Sequence, residues 1–311
     1  MRESLLLISR CPVCSSTDLS CDKTEEDNQE IIQGSINCAS CNRSYLVNDG
    51  LVFLYDTLSQ EALLEREASE AEDSLIKEVE LRQKRLEKIS NDNAKNFLSN
   101  NLGQAHKILE LGAGTGWLSA EISSAHQVVA LDMYYKEPRG LLAAKNIMNE
   151  KRVYFERLVA DMKELPFKDN SFDLVIVCAA LHHSPDLIKT CNEVFRILKP
   201  GAKFILLSEP VKGLLGTNER KIIANDFEHG FHEKRYSAPQ WISTLRKSGF
   251  KTKAFLPINM SEVLATRSRY SKLLKFIWEI IPSFIRPFLA RPILTIFDGF
   301  FNVVAIKPLK S

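Results

Sequence analysis

Short apolar runs alternate with turn residues and amphipathic stretches in the middle of the chain. Residues 108–111, 127–131 and 203–208 have the length and composition of buried strands. A cluster of glycines follows the first of these runs, and a helix is expected to begin near Trp117. A second helix should end at Pro200, before the third run. Strands and helices that alternate in this way are typical of an α/β domain with a parallel sheet.

A different pattern precedes this region. Residues 59–98 are rich in Glu, Lys, Arg, Leu and Ala, contain no Gly or Pro, and carry apolar residues at steps of three and four. This spacing predicts one long amphipathic helix or a broken pair of helices. Its apolar face is expected to pack against the rest of the chain. The alternative is that the helix also covers a ligand pocket.

Charge is distributed unevenly along the 311 residues, although the net charge is only +2. Residues 1–56 hold four Lys/Arg against nine Asp/Glu, whereas residues 261–311 hold eight against three. Because phosphate binding needs positive charge, the N-terminal region is a poor nucleic-acid arm. We find no signal-peptide pattern and no run of apolar residues long enough to span a membrane. The expected location is the cytoplasm, with peripheral membrane contact as an alternative.

Four cysteines near the N-terminus form two C-x-x-C pairs, Cys11/Cys14 and Cys38/Cys41, separated by 23 residues. Each pair can turn two thiolates onto one point, so the two pairs predict a structural Cys₄ zinc site. The acidic stretch 22–30 between the pairs is expected to be a surface loop. A redox role is the alternative, but neither pair opens a thioredoxin-like βαβ unit.

The glycine cluster predicts a nucleotide-type ligand site. It reads Gly112-Ala-Gly114-Thr-Gly116 directly after a strand, and Asp132 follows 20 residues after the first glycine, at the end of the next strand. Glycine allows the tight turn and the close approach of a ligand, and the acid can accept hydrogen bonds from ribose hydroxyls. The spacing departs from the G-x-G-x-x-G dinucleotide fingerprint. Glu110 would also repel a pyrophosphate but suits an ammonium group.

This motif, with those that follow it, resembles the class I S-adenosylmethionine-dependent methyltransferases. The further motifs are Asp161-Met162 with Leu165-Pro-Phe167, the strand 171–177 that ends at Cys178, and a helix stopped by Pro200-Gly201. The resemblance implies a Rossmann-like, doubly wound, seven-stranded sheet with a terminal antiparallel strand. It also implies S-adenosyl-L-methionine as cofactor, held by Glu110, Gly112, Gly114, Gly116, Asp132, Met133, Asp161, Met162 and Cys178.

Residues 10–55 are similar to short zinc-ribbon proteins that bind and activate some methyltransferases, and to ribbons fused in front of bacterial ones. The expected organisation is a zinc ribbon over 1–56, a helical connector over 57–104 and a methyltransferase domain over 105–311. Strands are expected at 249–257 and 302–306, with an apolar helical insertion over 261–300 between them.

Candidate catalytic residues lie at three places after predicted strands. They are His182 and His183, Glu209, and the pair His229 and His232. Histidine suits proton transfer near neutral pH, but each of these residues could equally be a pocket wall or a bystander.

The insertion 261–300 combines apolar runs with basic residues and recurrent prolines, so its helices should be short. It is expected to be a lid or a contact with a second copy of the chain in a homodimer, and a membrane or lipid surface is the alternative. The leading function is methylation of oxygen or nitrogen in a small-molecule, saccharide or lipid-linked acceptor. An RNA methyltransferase, disfavoured by the acidic ribbon, and a cofactor-binding scaffold remain the competing hypotheses.

Overall fold

The computed structural model describes residues 1–56, 92, 94–214, 236–255, 276, 280–282 and 299–309. These residues contain eleven strands in one sheet. The strands are β1 (Leu19–Asp27), β2 (Glu30–Cys38), β3 (Ser44–Asn48), β4 (Leu51–Phe53), β5 (Lys107–Leu111), β6 (Gln127–Asp132), β7 (Glu156–Val159), β8 (Phe172–Cys178), β9 (Leu198–Val211), β10 (Lys251–Phe255) and β11 (Gly299–Ile306). The helices are α1 (Trp117–Ile122), α2 (Ala144–Lys151), α3 (Leu187–Ile197) and α4 (Ala238–Lys247), and Glu3–Leu5 and Leu181–His183 form short 3₁₀ turns.

Seven of the strands form the predicted Rossmann-like sheet, in the order β7-β6-β5-β8-β9-β11-β10. Strands β5 to β9 are parallel, whereas β11 runs antiparallel to both β9 and β10. The strand order reverses at β5, which lies between β6 and β8. Ligands of open α/β sheets bind outside the carboxyl ends of the strands at such a reversal.

Alternation of side chains along the strands gives the sheet two buried faces. On β5, Leu109 and Leu111 belong to one apolar cluster and Ile108 to the other. Helices α3 and α4 cover the first face, and α1 and α2 cover the second. The doubly wound arrangement predicted from the family resemblance is therefore confirmed.

Side-chain caps specify where two helices begin. Asp186 accepts a hydrogen bond from the Lys189 N–H at 3.0 Å and caps α3. Ser237 and Gln240 form a reciprocal capping box at α4, which has proline in its first turn. Each of these two helices therefore begins directly after its capping residue.

The N-terminal ribbon is continuous with the large sheet. Its strands β1 to β4 pair antiparallel in sequence order, and β4 then pairs parallel with β7. The register aligns Val52 with Leu158, and the Leu54 N–H donates to the Val159 carbonyl at 3.1 Å. The ribbon therefore extends the sheet from seven strands to eleven.

The prediction of a surface loop over residues 22–30 was wrong. This stretch forms most of β1 and the turn into β2, with Asn28 and Gln29 at φ +48° and +67°. Two successive residues with positive φ match the tight turn that joins twisted antiparallel strands. The charged residues of this stretch did not indicate a strand, because β1 is an exposed edge strand and has no alternating apolar face.

Two predicted regions fall mostly outside the described residues. Of the connector over 57–104, the structure describes residues 92 and 94–104, of which 94–99 are helical and bury Ala94, Phe97 and Leu98. Most of the insertion over 261–300 also lies outside. Within the part of the chain that is described, no helix is long and apolar enough to cross a membrane.

Candidate functional site

The glycine cluster forms the turn between β5 and α1 at the strand-order reversal. Gly112, Gly114 and Gly116 have φ values of +66°, +51° and +71°, which side chains of L-residues rarely adopt. The three glycines face different surroundings. An added Cβ would lie 2.3 Å from the Ala180 Cβ at Gly112 and 2.8 Å from the Phe155 ring at Gly116.

Gly114 differs from the other two because its nearest neighbour would be a backbone oxygen of Arg139 at 3.4 Å. Packing therefore accounts for Gly112 and Gly116. Gly114 leaves the backbone accessible, as a cofactor that approaches closely would require.

Asp132 ends β6 beside this turn. Its carboxylate accepts hydrogen bonds from the N–H groups of Gly114 at 2.7 Å and Tyr134 at 2.8 Å. Burial raises the pKa of Asp132 above its ordinary value, although these N–H groups and the charge of His183 act in the opposite direction. The predicted ribose acid is thus fixed against the glycine turn, and Met133 follows it in a half-buried position.

Glu110 points beneath the turn and is only 2% exposed. The Ser119 hydroxyl in α1 donates to its carboxylate. Burial raises the pKa of Glu110 to about 8, because hydrogen bonds from Ser119 only partly offset the desolvation. Through this hydrogen bond, Glu110 therefore stabilises the first turn of α1. Sequence reasoning did not single out Ser119.

The second predicted acid lies at the end of the neighbouring strand. Asp161 follows β7 and accepts from the Lys163 N–H at 2.8 Å, with the Lys163 ammonium 3.7 Å away. Met162 beside it is half-buried. Parallel pairing of β6 and β7 brings Asp132 and Asp161 to the same edge of the sheet.

The motif after Asp161 contacts the ribbon. Pro166 accepts a hydrogen bond from the Arg10 N–H at 3.0 Å, and the Lys168 N–H donates to Ile8 at 2.8 Å. These bonds flank an antiparallel bridge between Ser9 and Phe167. The first cysteine of the cluster, Cys11, therefore follows directly after a contact with the segment that follows Asp161.

The ribbon also reaches the segment after Asp132. Phe53 in β4 packs edge-on against Tyr135, with the ring centroids 5.1 Å apart. No sequence pattern linked these two aromatic residues.

The loop after β8 holds the adjacent histidines. Cys178 ends the strand and is half-buried, and Ala179 has φ +50°. Glu209, fully buried on β9, accepts from the N–H groups of Ala180, Leu181 and His182.

The two histidines have different carboxylate neighbours. The His182 Nδ1 lies 3.0 Å from Glu209 Oε2, and His182 is buried. His183 is half-buried and near enough to Asp132 for its charge to lower the pKa of that acid. His183 is therefore the histidine beside Asp132, the predicted ribose acid. The other predicted candidates, His229 and His232, lie outside the described residues.

Asp173, in the predicted strand 171–177, lies at the amino-terminal ends of the parallel strands. This is the edge of the sheet opposite to the glycine turn. It accepts from the His106 and Lys107 N–H groups at 3.0 and 2.8 Å and pairs with Lys199 at 2.6 Å. These bonds lower its pKa, although burial acts to raise it. Asp173 ties the start of β5 to β8, far from the glycine turn.

A cavity of about 840 Å³ lies at that opposite edge. Its lining residues come from residues 2–8 and from the amino-terminal ends of β5, β6 and β7, and include His126, Arg152 and Tyr154. Because the glycine turn and both acids are at the carboxyl ends of these strands, this cavity is separate from the predicted cofactor site.

The four ribbon cysteines converge on one point. Their sulfur atoms all lie within 4.8 Å of one another, with Cys11 and Cys41 at 3.6 Å and Cys14 and Cys38 at 3.5 Å. Sulfur ligands at ~2.3 Å from a tetrahedral zinc ion would be separated by ~3.8 Å. The donor set therefore fits zinc.

Both cysteine pairs have the same backbone geometry. The Ser15 and Asn42 N–H groups donate to the carbonyls of Cys11 and Cys38 at 2.9 Å, and both donors have φ near +58°. Burial raises the pKa of the Cys11 thiol, but hydrogen bonds from Tyr45 and backbone N–H groups bring it to about 6.

Crowding has the opposite effect on the Cys41 thiol. An Arg43 N–H lowers the pKa of Cys41, but burial and the three neighbouring thiols raise it to about 12. Four thiolates at this distance repel one another unless a cation neutralises them. Cys21 lies on β1, outside the cluster.

Comparisons with known proteins agree with this geometry. The Methyltransferase domain family model matches residues 109–206. The chain is 29% identical over 183 residues to demethylmenaquinone methyltransferase of Lactiplantibacillus plantarum, covering 51% of this chain and 76% of that protein. Two further quinone methyltransferases are matched over only 45% and 40% of their own length.

Solved structures share the fold. Phosphoethanolamine N-methyltransferase 2 of Haemonchus contortus, in complex with S-adenosyl-L-methionine, aligns with a TM-score of 0.51 at 19% identity, over 70% of this chain and 52% of that one. A complex of the Trm112 methyltransferase activator with a methyltransferase of Haloferax volcanii aligns with a TM-score of 0.50 at 17% identity, over 81% of this chain and 100% of the matched one. The family match and the curated relative agree with the glycine turn and its acids: residues 109–206 form a methyltransferase domain, and its Rossmann-like sheet is the fold of the class I S-adenosylmethionine-dependent methyltransferases.

Proposed function

We propose that this chain transfers a methyl group from S-adenosyl-L-methionine to a small-molecule or lipid-linked acceptor. One observation carries the proposal. The glycine turn, Asp132, Asp161 and the loop that holds His183 meet at the carboxyl edge of the sheet, where the strand order reverses. This is the place where open α/β sheets bind ligands.

The residues at this edge fit the cofactor. Gly114 leaves room for close approach, and Asp132 can accept hydrogen bonds from ribose hydroxyls. Asp161 is assigned to the adenine end, with Met133 and Met162 as apolar neighbours. Glu110 is assigned to the ammonium end, acting from beneath the turn. When bound, the cofactor supplies an electrophilic methyl group on a sulfonium.

The protein's own contribution to the reaction is mainly orientation. Holding nucleophile and electrophile in line can supply a large part of the rate enhancement. For a hydroxyl or ammonium acceptor, a base must also take up a proton. Of the candidates in the described residues, His183 is placed best, because it lies beside the cofactor acid and is partly exposed.

A small-molecule acceptor is favoured over RNA. The curated relative and the solved neighbour are named for a quinone and for phosphoethanolamine, both small molecules. The ribbon has an excess of five acidic residues, which opposes a polyphosphate chain. Oxygen and nitrogen are the expected acceptor atoms, and saccharides remain within the acceptor class.

The ribbon is assigned a structural zinc ion. Four protein ligands complete the coordination shell and leave no position for a substrate. A module of this size has little core of its own and depends on its metal to fold. Through Phe53 and Leu54 the ribbon then supports the segment that follows β6 and the end of β7.

Calorimetric titration of the zinc-loaded protein tests the cofactor assignment. S-adenosylhomocysteine should bind in the micromolar range, and NAD, as control, should not. Gly114→Arg should abolish this binding while the circular dichroism spectrum stays unchanged, because an added Cβ there meets only a backbone oxygen of Arg139 at 3.4 Å. Normal binding by the variant would show that the cofactor site is placed wrongly.

An acceptor screen follows, with S-adenosylhomocysteine release as the signal. Quinols, glycans and lipid-linked saccharides form the test set, and ribosomal RNA is the competing substrate. Turnover on RNA alone, with retention that weakens steeply with salt, would favour the RNA methyltransferase. Cofactor binding without turnover on any class would favour a scaffold.

A further inference from the structure

Glu209 has an unusual environment for a carboxylate. Its side chain is 0% exposed, on β9, an interior strand of the sheet. Oε1 accepts from the Ala180 and Leu181 N–H groups at 3.1 and 3.0 Å. Oε2 accepts from the His182 N–H at 3.2 Å and lies 3.0 Å from His182 Nδ1. Both oxygens are therefore occupied by protein donors.

The loop held by Glu209 is packed onto the glycine turn. The Ala180 Cβ leaves no room for a Cβ at Gly112, which would approach within 2.3 Å. Any shift of the Ala180 backbone would thus change the space around Gly112. Glu209 acts at a distance on the cofactor turn through this contact.

Glu209 is itself held in place from the next strand. Ser208 has φ +53°, an unfavourable conformation for a residue with a side chain, and its N–H donates to Asn302 Oδ1 at 2.9 Å. Asn302 is fully buried on β11. The kink at Ser208, held by the buried Asn302 amide, therefore directs the Glu209 carboxylate toward the loop after β8.

The same carboxylate fixes the state of a histidine ring. An ionised carboxylate only accepts hydrogen bonds, so the contact with His182 requires a proton on Nδ1. The neutral ring then carries its lone pair on Nε2.

We propose that Glu209 is a positioning residue, which shapes the cofactor turn through Ala180 and sets the Nδ1–H tautomer of His182, and that it does not act as a base on the acceptor. The catalytic part of this assignment rests on the proposed methyl transfer. The tautomer and the shape of the turn do not, and they can be measured without an acceptor.

The tautomer is measured on the unmodified protein by long-range ¹H–¹⁵N correlation NMR of the histidine rings. His182→Asn identifies the signal by its disappearance. We expect Nδ1–H both with and without S-adenosylhomocysteine. An Nε2–H tautomer, or rapid exchange between the two, would overturn the assignment, and this test needs no variant of Glu209.

Glu209→Gln gives the second test. Glutamine has one acceptor oxygen and places an NH₂ group against donors, so some loop bonds must be lost. We expect the His182 tautomer to switch to Nε2–H and the Kd for S-adenosylhomocysteine to rise about tenfold or more, equivalent to about 1.4 kcal/mol. Unchanged affinity with turnover reduced more than ~100-fold would instead identify Glu209 as a base.

Asp173→Asn is the matched control. It also removes a carboxylate that accepts two backbone N–H groups, but at the opposite edge of the sheet. The control should leave the His182 tautomer and the cofactor affinity unchanged, whereas an equal change in both variants would mean that Glu209 contributes only general stability. If the unmodified protein fails to bind S-adenosylhomocysteine, the proposed function fails, and the tautomer still decides the role of Glu209.

Discussion

Alanine at Gly112 should destabilise the protein for two separable reasons. The residue has φ +66°, and the left-handed conformation costs a residue with a Cβ ~1–2 kcal/mol. The new Cβ would also lie 2.3 Å from the Ala180 Cβ, an overpacked contact that adds ~1–3 kcal/mol. The free energy of unfolding should therefore fall by roughly 2–5 kcal/mol.

A double-mutant cycle separates the two contributions. Ala180→Gly removes the atom that a Cβ at Gly112 would meet, so the double variant should regain the overpacking part and keep the backbone strain. The expected coupling is ~1–3 kcal/mol in favour of the double variant. Urea unfolding followed by tryptophan fluorescence measures all four free energies.

Gly114→Ala is the matched control for the cycle. Its Cβ would have only the Arg139 oxygen at 3.4 Å, so backbone strain of ~1–2 kcal/mol should be the whole effect on stability. Adding Ala180→Gly should not rescue it. A coupling below ~0.5 kcal/mol at Gly112, or an equal rescue at Gly114, would refute the explanation by direct contact.

Three further outcomes are expected. Elemental analysis should find one zinc ion per chain in the unmodified protein and none in Cys38→Ser, whereas Cys21→Ser, outside the cluster, should keep it. Burial raises the pKa of Glu110 to about 8, so the folded chain binds a proton that the unfolded chain has released between about pH 4.5 and pH 8. Stability should fall as the pH rises through this window, and Glu110→Gln should flatten the dependence measured by urea unfolding at several pH values. Phe53→Ala should weaken S-adenosylhomocysteine binding in calorimetry through the contact with Tyr135, whereas Leu46→Ala, on an exposed ribbon position, should not.

Much of the catalytic fold could be predicted because its signals are local. The buried run before Gly112 specifies β5, and the glycines that follow it specify the start of α1. The strand predicted at 203–208 was placed correctly, but β9 begins earlier, at Leu198, and continues through Pro200. The family resemblance, and not the periodicity, supplied the order of the strands.

The remaining features depend on contacts between distant residues. Strand β4 is three residues long, and nothing in Leu51–Phe53 indicates that its partner is β7, a hundred residues later. The histidine pair was equally ambiguous, since adjacent residues give no indication of which carboxylate each will meet. The role of Ala180 is also invisible in the sequence, because it depends on how closely two loops pack.

The pairing of β4 with β7 also bears on solubility. In a sheet of seven strands β7 would be an edge, and its unpaired N–H and C=O groups could template pairing with another chain. All four residues of β7 are buried in the complete sheet. The ribbon moves the open edge out to β1, an exposed strand that carries Asp22, Glu25, Glu26 and Asp27 and whose pairing with β2 is irregular at Glu25. Charges and irregular pairing both discourage association of one strand edge with another. Removing residues 1–56 would therefore exchange a protected edge for an aggregation-prone one.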